Sequence, residues 1–162
     1  MTELNLKKVI EDLLNTFLDA GKISLDLREV GLIQKIKSDN TPVSNGDLEV
    51  NEIISKKISS LTPDIPIISE EVSDNKNLIN LKDFWLIDPI DGTYDYINGL
   101  EEFTINAGLI IDKKPIAGLI YAPAKKRMFF SYERNSSFEL INGQKVKLDS
   151  SKNFDKENIK FV

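Results

Sequence analysis

The chain changes texture at Pro63. Before that point apolar residues recur at helical spacing; after it, short apolar runs alternate with turn residues. A chain divided in this way folds as helices laid against a sheet, not as alternating βαβ units. In the first part, Leu6, Val9, Ile10, Leu13, Leu14, Phe17 and Leu18 share one stripe. They predict an amphipathic helix from residue 4 to about residue 20, ending near Gly21. Residues 22–34 read equally well as continued helix or as irregular chain. Lys37-Ser38-Asp39-Asn40-Thr41-Pro42 is punctuated as a loop. A second helix is expected from about residue 45 to 61, capped by Ser44 or Asn45, with Leu48, Ile53, Ile54 and Ile58 turned inward.

Beyond Pro63 the run Ile65-Pro66-Ile67-Ile68 stops at Ser69-Glu70-Glu71, and Phe84-Trp85-Leu86-Ile87 stops at Asp88-Pro89. Further β-rich runs cover residues 103–111, 115–122, 128–132 and 138–141. Asp112-Lys113-Lys114, Pro123-Ala124-Lys125 and Asn142-Gly143 punctuate them. Consecutive strands with short connections predict an antiparallel sheet with the helices segregated to one side, an α+β fold. There is no internal repeat, low-complexity tract or linker.

At 162 residues the chain is long enough to bury a core, hiding roughly 70% of its unfolded surface. It has no Cys and no His. That excludes disulfides, thiolate nucleophiles, iron–sulfur and zinc-thiolate sites, imidazole bases and Ser-His-Asp triads. Catalysis must then rest on carboxylates, hydroxyls, amines, backbone groups or a hard metal ion. The balance of 21 Lys+Arg against 26 Asp+Glu, net charge -5, argues against bulk nucleic-acid binding. It leaves room for a small anionic substrate held by a cation or a helix N-terminus. No charged-then-apolar leader opens the sequence and no apolar run approaches membrane-spanning length, so a reducing cytoplasm is the expectation.

Two of the apolar runs end in acids. Glu70-Glu71 follows one expected strand and Asp88-Pro89-Ile90-Asp91-Gly92-Thr93 follows another. If those strands are neighbours, their carboxylates converge at one sheet edge, where an oxygen-seeking cation such as Mg²⁺ binds. Pro89 stiffens the turn, the Ile90 carbonyl can join a coordination shell, and Gly92-Thr93-Tyr94 opens a helix whose free amides suit a phosphate. Singly, each piece has a plainer reading. Glu70-Glu71 would be a solvated strand end, Asp88 and Asp91 a turn with a cap, and Asp47 a favourable charge at a helix start. Lys37 would be a surface lysine, and Lys113-Lys114 and Lys125-Lys126-Arg127 solvated hairpin tips.

Taken together and in order, these residues resemble the inositol monophosphatase superfamily of Mg²⁺-dependent, lithium-sensitive phosphatases, and within it the 3'(2'),5'-bisphosphate nucleotidase branch. Trp85-Leu86-Ile87-Asp88-Pro89-Ile90-Asp91-Gly92-Thr93 is similar to the family signature. Ser69-Glu70-Glu71, the segment from Lys37 to Ser44 ahead of Asp47, Glu102-Phe103-Thr104-Ile105-Asn106 and Gly118-Leu119-Ile120-Tyr121-Ala122-Pro123 accompany it. The resemblance implies two or three Mg²⁺ ions, a small phosphorylated substrate and a role in sulfur metabolism. Glu70, Asp88 and the Ile90 carbonyl would bind the first ion. Asp88 would bridge to a second, also held by Asp91, while Glu70, with Glu71, would help place metal-bound water. Asp47 and Thr93 would activate the attacking water, and the amides of Gly92 and Thr93 would hold the phosphate, with Asp91 beside it. The implied reaction is removal of the 3'-phosphate from adenosine 3',5'-bisphosphate. Inositol monophosphatase activity, or a non-catalytic metal- or phosphate-binding module, is the alternative.

The chain departs from the pattern in three places. Gly46 stands before Asp47 where the family commonly has Ala. Tyr94-Asp95-Tyr96 stands where the branch usually has a basic or small polar residue, an acid and Phe. The sequence ends at Val162, where the family continues into a second α/β domain of roughly 100 residues that completes the layered αβαβα fold and supplies one more metal-binding Asp. Residues 1–150 are thus expected to form a metal-binding domain and residues 151–162 to begin the next. Such a chain is expected to be weakly active or inactive alone. Its uncovered interdomain face would favour a homo-oligomer.

Overall fold

The computed structural model describes residues 5–37, 40–71, 81–133 and 136–149. The elements run α1 (Leu6–Val30), β1 (Gln34–Ile36), β2 (Pro42–Ser44), α2 (Asn45–Leu61), β3 (Ile67–Ser69), β4 (Phe84–Asp91) and α3 (Thr93–Ile97). Then follow β5 (Thr104–Ile111), β6 (Lys114–Ala122), β7 (Arg127–Glu133), β8 (Ser136–Ile141) and β9 (Gln144–Leu148). The last seven strands form one sheet in the order β3-β4-β5-β6-β7-β8-β9, antiparallel throughout except for the parallel pair β3-β4. The expected α+β architecture, helices on one side of a multistranded sheet, is what forms. The expected start of a second domain at 151–162 lies outside the described residues.

The core lies between α1 and α2 and one face of the sheet. Val9, Ile10, Leu13 and Phe17 of α1 and Val50, Ile54 and Ile58 of α2 are buried there. Alternate strand residues meet them: Trp85 and Ile87, then Ile105 and Leu109, Leu119 and Tyr121, and Met128 and Phe130. Each such side chain contributes roughly 1.5–3 kcal/mol by leaving water. Trp85 keeps its polar edge satisfied by donating from Nε1 to Thr62 Oγ1 at 3.0 Å. The opposite face is open. Leu86 and Ile120 are half exposed on it, with Phe129, Gly108 and Gly118 forming a shallow apolar groove that reaches Asp88 and Asn106.

Four expectations need correction. The first helix does not end near Gly21 but continues to Val30, with Gly31 as its cap at φ 114°. Gly21 is there because the sheet comes close: a Cβ on it would lie 2.9 Å from Tyr121 Cδ1. Leu48 faces water rather than the core, and Ile53 is only partly buried. Part of the expected loop after α1 is a short antiparallel ribbon, β1 pairing with β2 from Gln34↔Ser44 to Ile36↔Pro42. Strand β4 does not stop at Asp88 but runs through Pro89 to Asp91, with a shift of register against β5 between Asp88 and Asp91. β9, exposed along its whole length, had no apolar run to announce it.

The turn out of β4 is constrained by Gly92, which adopts φ 92° and ψ 37°. A Cβ on it would lie 2.6 Å from the Glu102 carbonyl oxygen and 3.3 Å from Phe103 Cα. Gly92→Ala is therefore expected to destabilise the chain by about 2–4 kcal/mol, from the left-handed backbone and the clash together. Urea unfolding should show a lower midpoint at unchanged slope; a midpoint equal to wild type would mean that the turn tolerates a side chain.

Candidate active site

The site forms where the parallel pair β3-β4 ends. Pairing of Ser69 with Ile87 places Glu70 and Asp88 side by side, and the Glu70 N–H donates to the Ile87 carbonyl at 3.2 Å. Asp88 faces Asn106 across the β4-β5 pair, and Asp91 accepts from Asn106 Nδ2 at 3.3 Å. The condition set by the sequence, that the two acid-tipped strands be neighbours, is met.

The second wall is the start of α2. Ser44 caps the helix: its N–H and its hydroxyl both donate to Asp47 Oδ2, at 2.8 and 2.6 Å. Asp47 is fully buried, and its other oxygen, Oδ1, accepts from Thr93 Oγ1 at 3.0 Å. Thr93 Oγ1 is also 3.0 Å from the Ile90 carbonyl oxygen. A hydroxyl has one proton, so it serves one of these acceptors at a time and keeps lone pairs for a further donor. Gly92 precedes Thr93 at the α3 start, which no side chain caps.

Lys37 is not the surface lysine of the plainer reading. Its ammonium lies 3.2 Å from Glu70 Oε1 and 2.8 Å from Glu71 Oε1, and the Glu71 side chain is almost wholly buried. Burial pulls the Lys37 ammonium down, but the hydrogen bonds it donates to Glu71 and Glu70, with their charges, outweigh this and hold it above the usual lysine value. Burial pushes Glu71 up despite Lys37.

Asp88 is the exceptional group. Burial first, then the charges of Glu70 and Asp91 and a hydrogen bond with Glu70, push it up to about 7. Its Oδ1 is buried and has no hydrogen-bond partner, and the same holds for Asn106 Oδ1 beside it. Orphaned buried oxygens with further carboxylates close by are what a hard divalent cation satisfies, so the donor set fits Mg²⁺. Among the described residues, no three carboxylates yet close on a single point. Glu70 turns toward Lys37 instead.

The family model for the inositol monophosphatase family matches residues 5–160. The chain belongs to the inositol monophosphatase family. A 3'(2'),5'-bisphosphate nucleotidase CysQ from Buchnera aphidicola subsp. Acyrthosiphon pisum (strain APS) is 41% identical over 114 residues, 70% of this chain and 43% of that protein. The CysQ of Aggregatibacter actinomycetemcomitans is 30% identical over 145 residues, 86% of this chain and 53% of its own length. The crystal structure of CysQ from Bacteroides thetaiotaomicron superimposes with a TM-score of 0.62 at 26% identity, covering 83% of this chain and 49% of that one. The chain thus spans about half the length of the curated relatives it matches.

Asp47, Glu70, Asp88, Ile90, Asp91, Gly92 and Thr93, the residues singled out from the sequence, lie at this one corner of the sheet. Two participants had no assigned role. Asn106 was visible only as the end of a motif, and its contact with Asp91 exists because β5 returns antiparallel to β4. The pairing of Lys37 with Glu71 joins distant parts of the chain and leaves no local signal. No helix among the described residues is long and apolar enough to cross a membrane.

Proposed function

We propose that this chain carries the metal-binding half of a Mg²⁺-dependent phosphomonoesterase that removes the 3'-phosphate from adenosine 3',5'-bisphosphate, in the reducing cytoplasm. The observation that carries the reading is the orphaned, buried Asp88 Oδ1, with Asp88 raised to about 7 beside Glu70 and Asp91. The nucleotide substrate is supported by the CysQ relatives, which are named as 3'(2'),5'-bisphosphate nucleotidases.

In this reading Glu70, Asp88, the Ile90 carbonyl and Asp91 would hold the Mg²⁺. Bound Mg²⁺ would acidify water and neutralise charge on the phosphoryl oxygens, which makes an imidazole unnecessary. The rest falls to the chain itself. Thr93 Oγ1 accepts the proton of the attacking water while its own proton passes to Asp47 Oδ1. Ser44 keeps Asp47 aimed by holding Oδ2. The amides of Gly92 and Thr93 face the phosphate, where the macrodipole and free N–H groups favour an anion.

The test is phosphate release from adenosine 3',5'-bisphosphate, inositol monophosphate and fructose 1,6-bisphosphate, with Mg²⁺ or with EDTA, alongside calorimetric Mg²⁺ titration. Slow, Mg²⁺-dependent release, greatest on the nucleotide and abolished by Asp91→Asn, is expected. Hydrolysis in EDTA, or wild-type rates for Asp91→Asn in saturating Mg²⁺, would sink the proposal. A preference for the inositol ester would move the substrate, and tight Mg²⁺ binding with no turnover would favour the non-catalytic module.

A further inference from the structure

Behind the Asp47–Thr93 pair lies a contact that the mechanism does not use. Gly46 immediately precedes Asp47 on α2, and Tyr96 stands one turn after Thr93 on α3. A Cβ on Gly46 would lie 2.8 and 2.9 Å from two carbons of the Tyr96 ring and closer still to its hydroxyl. The ring occupies the place of a side chain at position 46. It is also tethered: Tyr96 Oη donates to the Ser24 carbonyl of α1 at 2.6 Å. Phe103 packs on it with centroids 4.9 Å apart, and the Arg28 guanidinium stands 5.9 Å from the ring centre.

Helix α3 has only five residues, no side-chain cap at its start, and Tyr96 as its buried residue. A helix so short holds its place by tertiary anchors, not by its own hydrogen bonds. We propose that Tyr96 is the positioning residue for the Asp47–Thr93 pair. Seated against Gly46 and tied to Ser24, it locks the first turn of α2 to α3 and sets the 3.0 Å approach of Thr93 Oγ1 to Asp47 Oδ1. The lock deepens the functional reading above and draws its catalytic meaning from it. A methyl at 46 and the Tyr96 ring in its tethered position exclude each other.

The experiment is a cycle of Gly46→Ala, Tyr96→Phe and the double variant. It is read by melting temperature and by the carboxyl ¹³C resonance of Asp47. Gly46→Ala forces the ring off Ser24; it should lower the melting temperature by about 5–10 °C and shift the Asp47 resonance. Tyr96→Phe alone removes the tether and should shift both readouts less. In the double variant the untethered ring can slide by the few tenths of an ångström the methyl needs. The double should regain at least half of the loss and return the resonance toward wild type. Ile58→Val, a buried change elsewhere on α2, should lower the melting temperature and leave the Asp47 resonance in place. If Gly46→Ala fails to fold and the double folds, the rescue is shown in its strongest form. An unmoved Asp47 resonance in Gly46→Ala, a double variant that melts at the sum of the single losses, or one that fails to fold overturns the proposal. Neither readout requires turnover, so a wild-type chain without phosphatase activity would defeat the functional reading and leave the lock standing.

Discussion

Asp88→Asn is expected to remove most of the Mg²⁺-dependent stabilisation of the chain and to flatten its stability between pH 4 and 7. In the folded chain Asp88 is raised from 3.8 to about 7, by burial first and then by the charges of Glu70 and Asp91. The folded state therefore holds that proton more tightly than the unfolded state does. Below the unfolded value both states are protonated and nothing is lost. As pH rises toward 7 the unfolded chain ionises first, so metal-free stability falls, and above 7 the deficit is constant. A shift of this size would correspond to about 4 kcal/mol for a fully enclosed group; Asp88 is only partly buried, so about 2 kcal/mol is expected. About two thirds of that loss falls above pH 5, which corresponds to a melting temperature about 2–5 °C lower at pH 8 than at pH 5. Burial raises Glu71 in the same direction, so the comparison with Asp88→Asn isolates the share due to Asp88. Excess Mg²⁺ at pH 8 should raise the wild-type midpoint, because a ligand of the folded state alone stabilises it by mass action. An equal rise in Asp88→Asn would show that Asp88 is not a ligand.

Much of this architecture is written in local pattern. The α1 and α2 stripes and the apolar runs of β3 to β8 are periodic enough to place the elements, and the acids at two strand ends are visible without any structure. What escaped was decided at a distance. Gly21 after an apolar stripe carries the ordinary signal of a helix end, but it answers to Tyr121 on β6, so the helix goes on. Pro89 reads as a strand stop, since proline cannot donate to a ladder. β4 nevertheless passes through it where the register with β5 shifts. β1 and β2 have three residues each, too few for alternation to show, and β9 buries none of its residues. The neighbourhood of β3 and β4 is a parallel pairing across a long connection, which periodicity does not report. The site was legible as a list of donors; that Lys37 would compete for Glu70, and that Asn106 would brace Asp91, is tertiary information.

Asp47→Asn and Thr93→Val are expected to separate what Asp47 does for the fold from what it does for chemistry. Asp47 accepts at both oxygens: Ser44 holds Oδ2 through its N–H and hydroxyl, and Thr93 donates to Oδ1. An Asn side chain replaces one acceptor by a donor. If its amide faces Thr93, the hydroxyl turns to the Ile90 carbonyl, 3.0 Å away, and has no carboxylate to receive its proton. If its amide faces Ser44, the cap is broken and buried donors confront each other, at about 1–2 kcal/mol. Either way Mg²⁺-dependent phosphate release should fall about 10³-fold, the scale of a lost general base. Thr93→Val leaves the Ser44–Asp47 cap in place but strips the buried Oδ1 of its donor, so stability should fall by about 1–3 kcal/mol while stabilisation by Mg²⁺ persists and release falls by a similar factor. Because Asp47 and Thr93 act as one relay, the double variant should be little slower than either single one. Wild-type turnover by Thr93→Val would remove the hydroxyl from the mechanism and leave Asp47 as a helix cap, its fully buried carboxylate explained by Ser44 alone.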